Sequence, residues 1–499
     1  MGMSRERFLT LFRCPPFVLS LILLVFFLKG VFLGAIQPLF VGQDETRHYN
    51  TAQYLAEPED AISAAQIIKK KNYDGARNKD DFSTYNFSQE IQKTAEAVDN
   101  DALRGNIFNT THFSQTSVGR NESIINSKIW KPYNYYSDPD VAGTSSLYHK
   151  LAAQIEKLFA SQSILVRFYL LRIFSVLLGT VALYFCYRTA QTIGFAPRTS
   201  LILTALVAFQ PKFSLYFTNI NYDVLLIPMF FLFTYAGVHA LTYGLGRKNL
   251  SLLITSIVIA TQTKATGYIL IVVFATLIAY LLHEKIKQQQ RYFQYGIYSI
   301  SFLMILLTIS YLYSTFLSND LSQHKIIDTL SAYLSKTITY SRFVLPSDTY
   351  WGTLSWTNSW AVNNTMTFIF YLESIALFGL GILLFSKKFH HQYPSFLPEK
   401  KYLLFLIGMI IALQLGVRAA DWSAFSRLGD MSLSLGTPGR YFLPNLSAHM
   451  LVMAAGLGAL LAFVKQEKYF NPLLIGILIL MFSLTTYLTF NAIILRFYL

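Results

Sequence analysis

Apolar runs of about 20 residues recur along the whole chain, and that is the length an α-helix needs to cross the roughly 30 Å hydrocarbon core of a bilayer. They fall near residues 16–40, 164–187, 197–217, 222–243, 249–263, 265–283, 294–316, 364–386, 401–418, 441–464 and 472–494. In hydrocarbon every backbone N–H and C=O must find its partner within the protein, so runs of this kind are helices packed on one another. The pattern predicts an all-α polytopic membrane protein with about eleven transmembrane helices. The fifth and sixth runs meet at 263–266, where a re-entrant hairpin is the alternative to two spans. A chain of 499 residues that is 53% hydrophobic and 16% aromatic is far more apolar than soluble domains of this length.

The first run follows a basic lead and continues for about 25 residues, beyond the 7–15 of a secretory signal core, so it is expected to remain as the first helix. Lys29 lies near its middle, where a charge costs about 2.5–3.5 kcal/mol on insertion scales, and it should therefore face other helices. Glu373, an acid inside the eighth run, is one candidate partner. The two cysteines, Cys14 and Cys186, support neither a disulfide framework nor a thiolate metal site.

The formal net charge is +14, but no Lys/Arg block of five or more occurs, which argues for lipid headgroups and against nucleic acid. With the N-terminus in the cytoplasm, the short loops obey the positive-inside rule: Arg188, Arg198, Arg247, Lys248, Lys387, Lys388, Lys400 and Lys465 share one side. This orientation divides the chain into five parts. Residues 1–40 form a cytoplasmic tail and the first helix, and 41–163 a large extracytoplasmic loop folded as a small mixed cap. Residues 164–316 hold helices two to seven, 317–363 a second extracytoplasmic loop, and 364–499 helices eight to eleven. The expected location is the cytoplasmic (inner) membrane.

The unusual polar clusters then fall on the outer side. "DETRH" follows the first helix. A carboxylate there, shielded by a cap and flanked by a second acid, can act as a general base or hold a divalent cation. Asp44 and Glu45 are the candidate catalytic pair. With His48, three residues after Glu45 and on the same helical face, they could bind a divalent ion such as Mg or Mn. The alternative is a helix-capping acid pair. "GTPGRYFLPN" opens the tenth helix with Arg440 on a bent segment, suited to bidentate phosphate contact or to snorkelling at the interface. Lys264 in "TQTKATG" is a second phosphate ligand or a topogenic charge, and Tyr441 a substrate contact or a member of the aromatic belt. Asn221 and Asp223 suit sugar hydroxyls or turn capping, and Trp351 and Trp356 could stack on a sugar ring or sit at the interface.

The stretches "QDETRHY", "RIFSVLLGTVALYFCYRTAQTIG", "ALVAFQPKFSLYFTNINYDVLL", "TKATGYILI", "YWGTLSW" and "GRYFLP", in this order from about residue 43 to 444, resemble the multi-spanning GT-C glycosyltransferases. In detail the chain is most similar to a bacterial family of predicted, largely uncharacterised membrane proteins in that superfamily. The resemblance implies a GT-C-like fold, an inverting transfer from a polyprenyl-phosphate sugar donor, Asp44 as base or metal ligand supported by Glu45, and Arg440 at the donor phosphate. It also implies an extracytoplasmic active site and a glycan, lipid or protein acceptor. One departure stands out: members of the family carry a His-Pro-Pro-Leu-Tyr-Tyr type stretch before the second helix, where this chain reads "TSSLYHKLAA". Two other functions remain open. A polymerase or ligase of lipid-linked polysaccharide would carry dominant Arg-rich outer loops in the second half. A transporter would show paired midplane charges and an internal duplication.

Overall fold

The computed structural model describes residues 15–40, 42, 44–56, 146–286, 363–386, 392–428 and 438–494, together with positions 90, 91, 94, 333, 350, 351 and 389. Thirteen α-helices order the description. They are α1 (Pro15–Ile36), α2 (Glu45–Ala56), α3 (Leu147–Leu158), α4 (Ile164–Thr192), α5 (Pro197–Ala208), α6 (Pro211–Tyr216), α7 (Asp223–Tyr243), α8 (Arg247–Thr263), α9 (Ile269–Ile286), α10 (Asn363–Phe385), α11 (Lys400–Leu428), α12 (Leu446–Phe463) and α13 (Phe470–Thr489). Among the described residues there is no strand, and eight helical segments are long and apolar enough to cross a membrane. The run 294–316, most of the 41–163 cap and most of the 317–363 loop lie outside the described residues.

Helix α7 is the central post. Its sequence is apolar on every face, which suits a helix surrounded by protein, and 94% of its spanning window is buried against 28% for α1 or α11. Helices α4, α8 and α11 and the 3₁₀ segment Gly439–Asn445 pack around it. The outer helices turn Leu24, Leu28 and Phe32 of α1, or Leu404 and Leu415 of α11, away from the bundle, as a lipid-facing surface requires. Helices α10 and α12 meet backbone to backbone: a Cβ on Gly456 would lie 2.0 Å from the carbonyl oxygen of Ala376. Small residues that permit such approach are the usual basis of helix packing in lipid, where no hydrophobic drive separates helix from solvent.

The run 197–217 is a broken helix. Helix α5 ends at Ala208, Gln210 caps the next turn, and Pro211 starts the short α6. This break answers the question of Lys29. Its ammonium donates to the Ala208 carbonyl at 2.8 Å and to Ser214 Oγ at 2.8 Å, and lies 4.3 Å from the centre of the Phe209 ring. The charge neutralises the exposed carbonyl end of α5, where a helix dipole favours a cation. Glu373 is not its partner; that acid bonds Trp351 and His449.

Helices α2 and α3 pack against each other above α4 and form the described part of the cap. Helix α3 begins with a capping box in which Ser146 and His149 satisfy each other's backbone N–H groups. A buried cluster fastens this cap to the bundle. Arg167 of α4 reaches Glu156 at 3.2 Å and Tyr49 at 3.4 Å and also pairs with Glu90, whose other oxygen accepts from Gln53 at 2.6 Å. Burial raises the Glu156 pKa despite the neighbouring guanidinium.

Candidate functional site

The first helix ends at Ile36, and α2 starts at Glu45. Asp44 takes a left-handed conformation, φ +56°, and its carbonyl accepts the first hydrogen bond of α2 from His48 N. Left-handed backbone is uncommon for a residue with a side chain and costs on the order of 1 kcal/mol, so the surrounding contacts must hold it. The carboxylate does not cap the helix. Asp44 Oδ2 instead accepts from Arg440 Nη2 at 3.0 Å, across 396 positions of sequence.

Glu45, the next residue, faces the opposite way and is fully buried. Arg172 of α4 donates Nε to its Oε1 at 2.9 Å and Nη2 to its Oε2 at 2.7 Å. Backbone N–H groups of Ile220 and Gly42 complete the carboxylate at 3.1 Å each. The remaining Arg172 donors go to the carbonyls of Gly34, Gln37 and Pro38 at 2.7, 2.6 and 2.9 Å. All five guanidinium N–H groups are thus used, and the pair ties the end of α1, the start of α2 and the loop before α7 to α4.

A third ion pair belongs to the same region. Lys264, the residue between α8 and the 3₁₀ turn Ala265–Tyr268, bonds both Asp223 oxygens at 2.8 and 3.1 Å. Tyr216 donates to Asp223 Oδ2 at 2.9 Å, and Asn221 Oδ1 accepts from Asp223 N at 2.8 Å. The ammonium is sandwiched between the rings of Tyr222 and Tyr441, 4.6 and 4.4 Å from their centres. Carboxylate and rings together raise its pKa against the cost of burial. Tyr441 also stands beside the Arg440 guanidinium, 5.2 Å from ring centre to Cζ. His48 is buried next to Tyr222, edge to face at 4.6 Å, and pairs with His149 of α3.

Asp44, Glu45, His48, Asn221, Asp223, Lys264, Arg440 and Tyr441 therefore gather at one end of the bundle from four separate stretches of sequence. Trp351 does not join them through any contact among the described residues. It bonds Glu373 at 3.1 Å, packs on Tyr350 and His449, and lines an apolar cavity of about 50 Å³ between α5, α10, α12 and α13. Trp356 lies outside the described residues. As arranged, Asp44, Glu45 and His48 do not fit a divalent ion. Each is engaged by a different neighbour, and no three His, Cys, Asp or Glu side chains converge among the described residues.

Sequence reasoning passed over Arg172, His149 and the Arg167 cluster. A signal for the arginines existed: two charges five residues apart near the start of an otherwise apolar run, a placement that requires buried partners. For His149 there was only the departure from the family's stretch before the second helix.

Residues 157–313, just under a third of the chain, match the family model of the dolichyl-phosphate-mannose-protein mannosyltransferases, a GT-C superfamily family. No curated protein and no solved structure matches. The matched family is one of membrane glycosyltransferases of the mannosyltransferase type. The match covers Arg167, Arg172, Asn221, Asp223 and Lys264, and leaves Asp44 and Arg440 outside it.

Proposed function

We propose that this protein transfers a sugar from a polyprenyl-phosphate donor to an acceptor hydroxyl at the extracytoplasmic face of the membrane, with inversion, and that Asp44 is the base. The observation that carries this reading is the contrast within the acid pair. Asp44 is held in a strained backbone conformation with its carboxylate 23% exposed and facing Arg440, while Glu45 beside it is sealed by four hydrogen bonds. A general base needs an open face toward the proton it removes.

In the proposed step the acceptor hydroxyl gives its proton to an Asp44 oxygen, and its own oxygen bonds to the anomeric carbon. The bond from that carbon to the phosphate oxygen breaks, and its electron pair leaves with the lipid phosphate. Arg440 and Lys264 are the cations available to stabilise the charge that develops there. Both carry carboxylate partners. A phosphate that takes up Arg440 would release Asp44 from its ion pair and leave its carboxylate free to accept a proton. The family match supports the lipid-linked donor, since the matched family is named for dolichyl-phosphate-mannose. The acceptor is a surface glycan, a lipid-linked glycan or a protein.

The test is surface-glycan composition in cells lacking the protein, restored with wild type or with Asp44→Asn at matched membrane levels. Loss of one sugar on deletion, with recovery by wild type alone, is the expected result. Full recovery by Asp44→Asn would remove Asp44 from the chemistry. A change confined to polymer length would favour a polymerase or ligase instead.

A further inference from the structure

His48 and His149 come from the two described helices of the cap. They meet Nδ1 to Nε2 at 2.9 Å, with rings stacked 5.2 Å apart and 20° from parallel. Hydrogen-bond partners fix the protons on such a pair, because each neutral ring has one donor and one acceptor nitrogen.

The chain of reasoning starts at a group with no choice. The backbone N–H of Ser146 can only donate, and it points at His149 Nδ1 at 3.3 Å; the Ser146 hydroxyl lies 3.0 Å from the same nitrogen. His149 Nδ1 is therefore an acceptor and its proton sits on Nε2. That N–H donates to His48 Nδ1, which leaves the proton of neutral His48 on its own Nε2. Among the described residues, the side-chain hydrogen bond of His48 is the one at Nδ1.

Protonating the pair is opposed from every side. Burial strips water from both rings, and the charges of Arg440, Lys264 and Arg47 act on His48, pushing it down to about 3. His149 is pushed well below its ordinary value by burial and by His48. Tyr222, which lies edge-on to both rings, brings no negative charge at neutral pH. The neighbourhood thus holds the cations Arg440, Lys264 and Arg47, the first two paired with Asp44 and Asp223, and a neutral N–H donor; an acceptor-only anion that displaces those carboxylates suits this set. The opposite tautomer would present a lone pair to such an anion and repel it.

We propose that His149 is a positioning residue that holds His48 as a neutral Nε2–H donor, and that this N–H bonds a phosphate oxygen of the lipid-linked donor beside Arg440 and Lys264. This rests on the transferase reading for the identity of the anion, but the tautomer follows from the geometry alone.

The experiment uses the full chain in lipid with ¹⁵N-labelled histidine rings, and the His48 signals are identified by their loss in His48→Gln. Solid-state spectra should show His48 protonated on Nε2 and bare on Nδ1 from pH 8 to pH 5. His149→Phe keeps a ring without an N–H and should mix or reverse that tautomer; His149→Gln keeps an N–H donor and should preserve it. A cationic or Nδ1-protonated His48 in wild type at pH 7, or an unchanged His48 in His149→Phe, would overturn the positioning role. Affinity for undecaprenyl phosphate is measured alongside, with undecaprenol as the uncharged control. His149→Phe should weaken binding about fivefold, the equivalent of one neutral hydrogen bond, and His149→Gln should restore it. Wild type binding both lipids equally would refute the phosphate partner and the transferase reading while the spectra still judge the tautomer. Tight wild-type binding matched by His149→Phe would refute the positioning role and leave the transferase reading standing.

Discussion

Asp44 and Glu45 are adjacent acids, each paired with an arginine from a distant part of the chain, and they have opposite surroundings. The Glu45–Arg172 pair is closed: both side chains are buried, every guanidinium donor is used, and three of the acceptors are backbone carbonyls at the end of α1. The Asp44–Arg440 pair is open: its acid is partly exposed, and its backbone is held in a conformation that the residue itself disfavours. The difference separates a group that holds the architecture from one that can exchange partners. A buried ion pair with no spare lone pair or donor has no group left for a ligand, whereas an accessible one can be displaced by a ligand of the same sign.

The sharpest way to break this comparison is at Asp44. Asp44→Asn keeps the shape and removes the base, so turnover should fall by about 10²–10⁴-fold. The melting temperature in detergent should change little, and retained turnover would place the base elsewhere. Next in size is Arg172→Met, which strands Glu45 and should destabilise the protein by about 3–5 kcal/mol. Thermal unfolding would measure it, and adding Glu45→Gln to Arg172→Met should recover part of the loss. A stable but inactive Glu45→Gln protein would instead move Glu45 into the chemistry.

The buried histidines give a third test, through pH. Their folded pKa values lie below the unfolded value, so between roughly pH 6.5 and the folded pKa the unfolded chain binds more protons than the folded one, and stability falls with falling pH. His48, lowered to about 3, should alone cost about 2 kcal/mol at pH 5 relative to pH 7.5. The melting temperature should decline through that window in wild type and decline less in His48→Gln. The smallest effect is expected for Arg440→Lys, which keeps the charge and loses the fork: donor affinity should weaken by about tenfold, roughly 1.4 kcal/mol, with unchanged melting. An unchanged affinity would show that Arg440 serves only Asp44.

Much of the bundle was legible because its cause is local. The length and apolarity of a spanning helix are written in consecutive residues, and every predicted run within the described residues is helical over most of its length. The break at Gln210–Pro211 was marked by its proline, yet it reads as one span because both halves are apolar. Lys29 was visible as an expense, but its partner was a backbone carbonyl, which carries no sequence signature. The same limit hid Arg172, whose acceptors are three carbonyls and an acid 127 positions away.

By itself the sequence determined a polytopic helical membrane protein and the composition of its polar clusters, since hydrocarbon admits only long apolar helices and makes every charge within them conspicuous. Which partner each cluster member meets was decided only by tertiary structure. Asp44 and Glu45 differ by one methylene and one position. The arginine that each meets, and whether water reaches it, depends on how α1, α4 and the Gly439–Asn445 segment converge, and non-local contacts of that kind leave no periodicity in the chain.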